Sequence, residues 1–158
     1  MTRTLLTRSA LAVLVTSLVV APAASARVDT AARLQMVWPA SGTVTSRFGE
    51  WRGSHRHDGI DIGMLRTLRL RAVTAGTVKR TGYVPGYDGY GNVVTIDVGG
   101  GYSLLYAHLA RSYVVPGQWL DTGDPVGEAG CTGSCTGTHL HFELRKHGAP
   151  VDPAPYFG

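Results

Sequence analysis

From Pro39 onward the chain is a succession of short β-prone runs, and glycine or proline breaks nearly every gap between them. The runs are residues 44–46, 60–62, 70–73, 76–81, 93–98, 102–109 and 138–144. Glycine supplies 21 of 158 residues, nearly twice its usual share of ~7%. Punctuation that dense excludes the long uninterrupted helices of a bundle or coiled coil. At 44% hydrophobic and 16% charged residues the chain can still build a packed core. No internal repeat or long linker divides it, so the expectation is an all-β fold: one antiparallel β domain, a sandwich or partly open barrel. The triplet Gly99-Gly100-Gly101 joins two strand-like runs with no helix after it, which reads as a hairpin turn rather than a phosphate loop. Tyr83, Tyr87 and Tyr90 fall in a connection that is long for a hairpin. Such a loop is compatible with lining a groove and equally with plain exposure.

The first 26 residues stand apart. Arg3 and Arg8 form a basic start, residues 9–26 carry no charge, and Ala24-Ser25-Ala26 has small residues where signal peptidase reads. Pro22 and the small-residue ending argue against a retained membrane anchor, so a signal peptide over 1–26 is expected, cleaved after Ala26. Residues 27–37 then form a lead-in with weak helical character, and residues 38–158 form the domain. Cleavage removes two arginines and no acid, which brings the formal charge from +4 to +2. With the remaining basic residues scattered, nucleic acid is not an expected partner. After cleavage no stable membrane insertion is expected, and the protein should be secreted, extracellular or cell-wall associated. Export would place Cys131 and Cys135 in an oxidising compartment, where a disulfide is the natural state. Two cysteines are too few to hold the fold as a disulfide framework.

The histidines are grouped: His55 with His57, His108 at the end of a β run, His139 with His141, and His147 at the periphery. The segment His139-Leu140-His141-Phe142-Glu143-Leu144 alternates strictly, so period two places His139, His141 and Glu143 on one face and the apolar residues on the other. Imidazoles at i and i+2 have Cα atoms ~7 Å apart and can converge on one site, although the same pattern also describes the polar outer face of a half-buried strand. His57 and Asp61 are four residues apart, ~13 Å in a straight strand, so a shared ion needs a bend, which Gly59 can supply. His57, Asp61 and one histidine of the pair would make two imidazoles and a carboxylate, a ligand type known for catalytic zinc with a fourth position for water.

The order His57-x3-Asp61, Tyr106-Ala107-His108-Leu109 and Gly137-Thr138-His139-Leu140-His141-Phe142-Glu143 closely resembles the lysostaphin-like (LytM-type) zinc endopeptidases of bacterial cell walls. Ser46-Arg47-Phe48-Gly49, Ala75-Gly76-Thr77-Val78, Tyr90-Gly91-Asn92, Val115-Pro116-Gly117-Gln118 and Asp152-Pro153-Ala154-Pro155-Tyr156 extend the likeness from about Trp38 to Phe157. The resemblance implies a Zn²⁺ cofactor held by His57, Asp61 and His141, with His139 and His108 acting on substrate and water. In that reading His139 is the general base and His108 donates a hydrogen bond to the developing oxyanion. It also implies peptidoglycan peptides as substrate, and the protein is expected to act as a monomer. Two features depart from the family pattern. The turn before His139 carries Cys131 and Cys135, whose disulfide would stiffen that turn more than it raises global stability. The loop 51–56 lacks a tyrosine found near the site in some members, leaving His55 or a tyrosine from another loop as the additional substrate contact. A catalytically inactive relative that binds the wall or activates another hydrolase is the alternative, disfavoured because all five positions are filled. A cupin-like metal barrel fits poorly, because Glu143 follows His141 by only two residues.

Overall fold

The computed structural model describes residues 34–158. The expected signal peptide and residues 27–33 of the lead-in lie outside the described residues. Where the lead-in is described it is extended rather than helical. Met36 forms a parallel bridge with Phe157, and its carbonyl accepts from Gly158 N at 3.1 Å.

Eleven strands follow: β1 (Thr43–Ser46), β2 (Ile60–Gly63), β3 (Arg69–Arg71), β4 (Gly76–Tyr83), β5 (Asn92–Gly99), β6 (Tyr102–Ala107), β7 (Leu109–Ser112), β8 (Trp119–Leu120), β9 (Pro125–Ala129), β10 (Leu140–Lys146) and β11 (Ala149–Val151). A single 3-10 turn, Ala154–Tyr156, follows them. All strand pairs are antiparallel. The larger sheet runs β1-β2-β10-β6-β5-β4-β8 with β11 on β10, and the smaller runs β3-β9-β7. Neither sheet closes on itself, so the fold is the open, all-β arrangement that the sequence predicts.

Both sheets feed one core. Ile60, Ile62, Ile96, Leu104, Tyr106 and Phe142 from the large sheet pack with Leu70, Leu109 and Val126 from the small one. Tyr106 is fully buried, and its hydroxyl donates to Arg71 O at 3.0 Å and accepts from Val73 N at 3.1 Å. That pair of bonds satisfies a polar atom that burial would otherwise penalise.

Three departures from the sequence reading shape the site. The run 102–109 is not one strand. It breaks at His108, whose φ of +60° is a left-handed conformation that a non-glycine residue adopts at a cost. The break passes the chain from β6 in the large sheet to β7 in the small one and turns His108 out of the ladder. β10 begins at Leu140, one residue after His139, which instead forms an isolated bridge with Gly130. The polar face of β10 is not an outer face, because Leu140 through Leu144 are all buried and Glu143 has no exposed surface. β10 lies between β2 and β6 and is covered by the Tyr90 segment, so alternation separates two interiors here rather than inside from outside.

Register then sets the geometry. His141 lies opposite Asp61 on one side and Ala107 on the other, so Asp61, His141 and the residue after Ala107 meet at one end of the sheet. Gly59 sits in the bend before β2, where an added Cβ would collide with Phe142 O and lie 2.9 Å from Glu143 Cγ. Gly59→Ala is therefore expected to push β2 away from β10 and cost about 1–3 kcal/mol, as overpacking does. A lowered Tm in thermal unfolding checks this, and an unchanged Tm would show that the two strands accommodate the methyl group.

Candidate metal centre and active-site cleft

His57, Asp61 and His141 are buried at the base of a cleft of about 700 Å³. His57 Nε2 lies 3.0 Å from His141 Nδ1 and 3.2 Å from Asp61 Oδ1, and His141 Nδ1 lies 2.9 Å from Asp61 Oδ1. Each ring has its opposite nitrogen engaged. His57 Nδ1 is 2.8 Å from Arg47 O, which can only accept, so Nδ1 carries the proton and Nε2 presents a lone pair. His141 Nε2 donates to Glu143 Oε1 at 3.0 Å, leaving the Nδ1 lone pair facing inward. Two nitrogen lone pairs and a carboxylate oxygen thus point at one another across about 3 Å.

An additional proton on His141 would satisfy only part of this set, whereas a cation at its centre satisfies all three atoms. Tetrahedral zinc with bonds of ~2.0–2.2 Å separates its ligand atoms by ~3.3–3.6 Å, close to the edges of this triangle. The donor set fits a metal ion, and among the described residues it is the group of three placed to hold one.

The surroundings fix the charge of these groups. Burial pushes the Asp61 carboxyl up, but hydrogen bonds with His141, His57 and Arg52 outweigh it and hold it well below the usual carboxylate range. Arg52 Nη2 donates to Asp61 Oδ2 at 2.5 Å and to Ser46 Oγ at 2.8 Å, which leaves Oδ1 for the cluster. Burial disfavours charge on His141, yet its contacts with Asp61 and Glu143 raise its pKa overall. Glu143 accepts from His141, from the Tyr90 hydroxyl at 2.6 Å and from Arg145 Nε at 2.5 Å, and these bonds keep it ionised against its burial.

Two further imidazoles enter the same cleft. His139 Nδ1 donates to Gly137 O at 2.7 Å, and its Nε2 lies 3.8 Å from Asp61 Oδ1. His108 Nδ1 donates to Thr132 O at 2.8 Å, and its ring centroid is 4.8 Å from that of His139. With Nδ1–H committed to a carbonyl oxygen, the neutral tautomer of each ring has its lone pair on Nε2. Burial pushes the His108 pKa down, and His139 and His141 push the same way against the bond to Thr132. In its resting form His108 is thus a proton acceptor, and it can donate through Nε2 only after being protonated.

The other sequence candidates separate. His55 is exposed on the cleft wall beside Ser54, apart from the three-residue set. His147 lies away from the cleft, at the Gly101 turn. Among the three tyrosines Tyr90 lines the cleft, Tyr87 sits under the Arg145 guanidinium at 5.7 Å, and Tyr83 is exposed. Cys131 and Cys135 are joined by a disulfide with Cα atoms 5.5 Å apart. Sequence reasoning gave no role to Arg52, to the anchoring of His141 by Glu143, or to the carbonyls of Arg47, Thr132 and Gly137. A visible signal existed for Glu143 alone, since Arg145 follows at i+2 on the same face.

Residues 55–153 match the family model "Peptidase family M23". A lipoprotein NlpD/LppB homolog of Pseudomonas aeruginosa is 40% identical over 119 residues, which are 75% of this chain and 38% of the relative. The murein hydrolase activator EnvC of Escherichia coli is 32% identical over 129 residues, covering 81% of this chain and 30% of the relative. The chain thus spans about a third of the length of these curated relatives. Among solved structures, a zinc-containing peptidase from Vibrio cholerae superposes with a TM-score of 0.65 at 28% identity, over 76% of this chain and 38% of that one. The fold, the site and the matched length agree: the chain belongs to peptidase family M23.

Proposed function

We propose that the protein is a secreted, zinc-dependent endopeptidase that hydrolyses peptide bonds in peptidoglycan cross-links or stem peptides. The observation that carries this reading is the convergence of three lone-pair atoms from His57, Asp61 and His141, with the Nε2 edges of His139 and His108 turned into the same cleft. His57, Asp61 and His141 would hold zinc, which when bound polarises a peptide carbonyl and makes a coordinated water acidic near neutral pH.

The chain's own groups then supply proton handling and orientation. His139, fixed through Nδ1 by Gly137 O, accepts the water proton at Nε2 and returns it to the leaving amine. His108 starts as an acceptor, so it first helps to hold the water and stabilises the oxyanion only once it carries a proton. This refines the simple donor role that the family resemblance implies. Arg52 and Glu143 act one step removed, by holding Asp61 Oδ2 and His141 Nε2.

One relative is named as a murein hydrolase activator, which keeps a non-catalytic reading in play. The complete set of five residues supports catalysis over it. Mass spectrometry of fragments released from purified peptidoglycans with different cross-links tests both readings. New peptide termini that appear with the protein alone and vanish with chelator are the expected result. No cleavage alone, together with stimulated cleavage by an added wall hydrolase, would establish the activator reading instead.

A further inference from the structure

We propose that the Cys131–Cys135 disulfide is a positioning element for the two non-ligand histidines, so that turnover depends on its oxidised state while metal binding does not. The inference rests on the hydrolytic reading above and assigns the disulfide a part in it.

The segment between Gly130 and His139 is closed at its base by the bridge between those two residues, with His139 N donating to Gly130 O at 3.1 Å. Inside it, the disulfide joins residues four apart and forms a small ring. Thr132, within the ring, offers the carbonyl that fixes His108 Nδ1. Gly137, two residues past the ring, offers the carbonyl that fixes His139 Nδ1. One loop thus sets the tautomer and aim of both rings.

The ring is also docked against its neighbours. Thr132 Oγ1 accepts from Asn92 N at 2.9 Å and donates to Leu109 O at 3.0 Å, and Ser134 N donates to Gly89 O at 2.8 Å. These bonds tie the loop to the first residues of β5 and β7 and to the Tyr90 segment. None of the loop's hydrogen bonds runs to His57, Asp61 or His141, which are held by Arg47, Arg52 and Glu143 instead.

Five of the residues 131–137 are exposed, and Ser134, Thr136 and Gly137 among them line the cleft, so the loop buries little apolar surface. Exposed loops of that kind open easily unless a cross-link restricts them. Breaking the S–S bond therefore releases the two carbonyls without disturbing the sheet. A misplacement of about 1 Å in a catalytic group can cost on the order of 10²-fold in rate.

The test compares the oxidised wild type, the wild type reduced by a water-soluble phosphine, and the double variant Cys131→Ser/Cys135→Ser. In the reduction the phosphorus gives up two electrons and takes the oxygen of one water. The S–S bond breaks to two thiols that keep that water's two protons. Three readouts are taken on each sample: kcat and KM on a peptidoglycan peptide, zinc content, and nitrogen-15 correlation spectra of the histidine rings.

Both perturbed samples should retain zinc, lose about 10- to 100-fold in kcat with a smaller change in KM, and lose the single Nδ1–H tautomer signature of His108 and His139. The signatures of His57 and His141 should persist. Unchanged His108 and His139 spectra in both perturbed samples overturn the proposal, as does a kcat within twofold of the oxidised wild type or a parallel loss of zinc. If the oxidised wild type cleaves nothing while the two ring signatures still shift, the hydrolytic reading fails and the positioning role stands.

Discussion

His141→Ala is expected to abolish stoichiometric zinc binding and hydrolysis together, whereas His139→Ala should keep the metal and lose about 10²–10⁴ in kcat. The two residues share one face by sequence, but their surroundings differ. His141 is buried, opposite Asp61 in the ladder, with its outer nitrogen bonded to Glu143. His139 lies just outside β10, is partly exposed, and has its outer nitrogen on a loop carbonyl. Removing the first leaves two ligands and strips Asp61 Oδ1 of one of its imidazole partners, although Arg52 still holds Oδ2, and removing the second leaves the triangle intact. His108→Ala should resemble His139→Ala, with retained zinc and a loss of about 10²–10³ in kcat. Metal analysis and steady-state kinetics on folded protein check all three. Zinc retained in His141→Ala but lost in His139→Ala would reverse the assignment.

Glu143→Ala is expected to be the most destabilising change of a polar residue. The carboxylate has no exposed surface and accepts from His141 Nε2, the Tyr90 hydroxyl and Arg145 Nε. Deleting it strands three donors and leaves the half-buried Arg145 guanidinium unpaired, which typically costs about 3–5 kcal/mol. It also frees the His141 ring, and loss of such an outer partner lowers metal affinity by about 10- to 100-fold. Urea unfolding and zinc competition titration measure the two effects separately. Glu143→Gln, which keeps one acceptor oxygen, should fall between Ala and wild type in both. Wild-type stability in Glu143→Ala would mean that water replaces the carboxylate and that β10 is not sealed.

Local pattern carried much of this architecture. Alternation in residues 139–144 and glycine at nearly every turn are properties of neighbouring residues, and the strands they predicted are present. The missed elements depend on distant partners. β8 has two residues and exists because Trp119 and Leu120 pair with β4. β9 begins at a proline and contains a glycine, both unfavourable for a strand, yet it is held between β3 and β7. The break at His108 was hidden for a related reason, since a β-prone run does not reveal which sheet each half will join. At the site, the five residues implied by family resemblance are those that the fold brings together. Their supports were less visible, because three are backbone carbonyls, of Arg47, Thr132 and Gly137, and a carbonyl carries no residue-specific signature.

With zinc held in its buried triangle, this chain is expected to add water across a peptide bond by itself, without a partner hydrolase. Metal-free protein, incubated with a purified peptidoglycan peptide in oxygen-18 water and titrated with zinc, measures this directly by mass spectrometry. The expected result is no cleavage without metal, activity that saturates at one equivalent of zinc, and a single oxygen-18 atom in each newly formed carboxyl group. Intact peptide at every zinc concentration, with zinc bound at one equivalent, would contradict it.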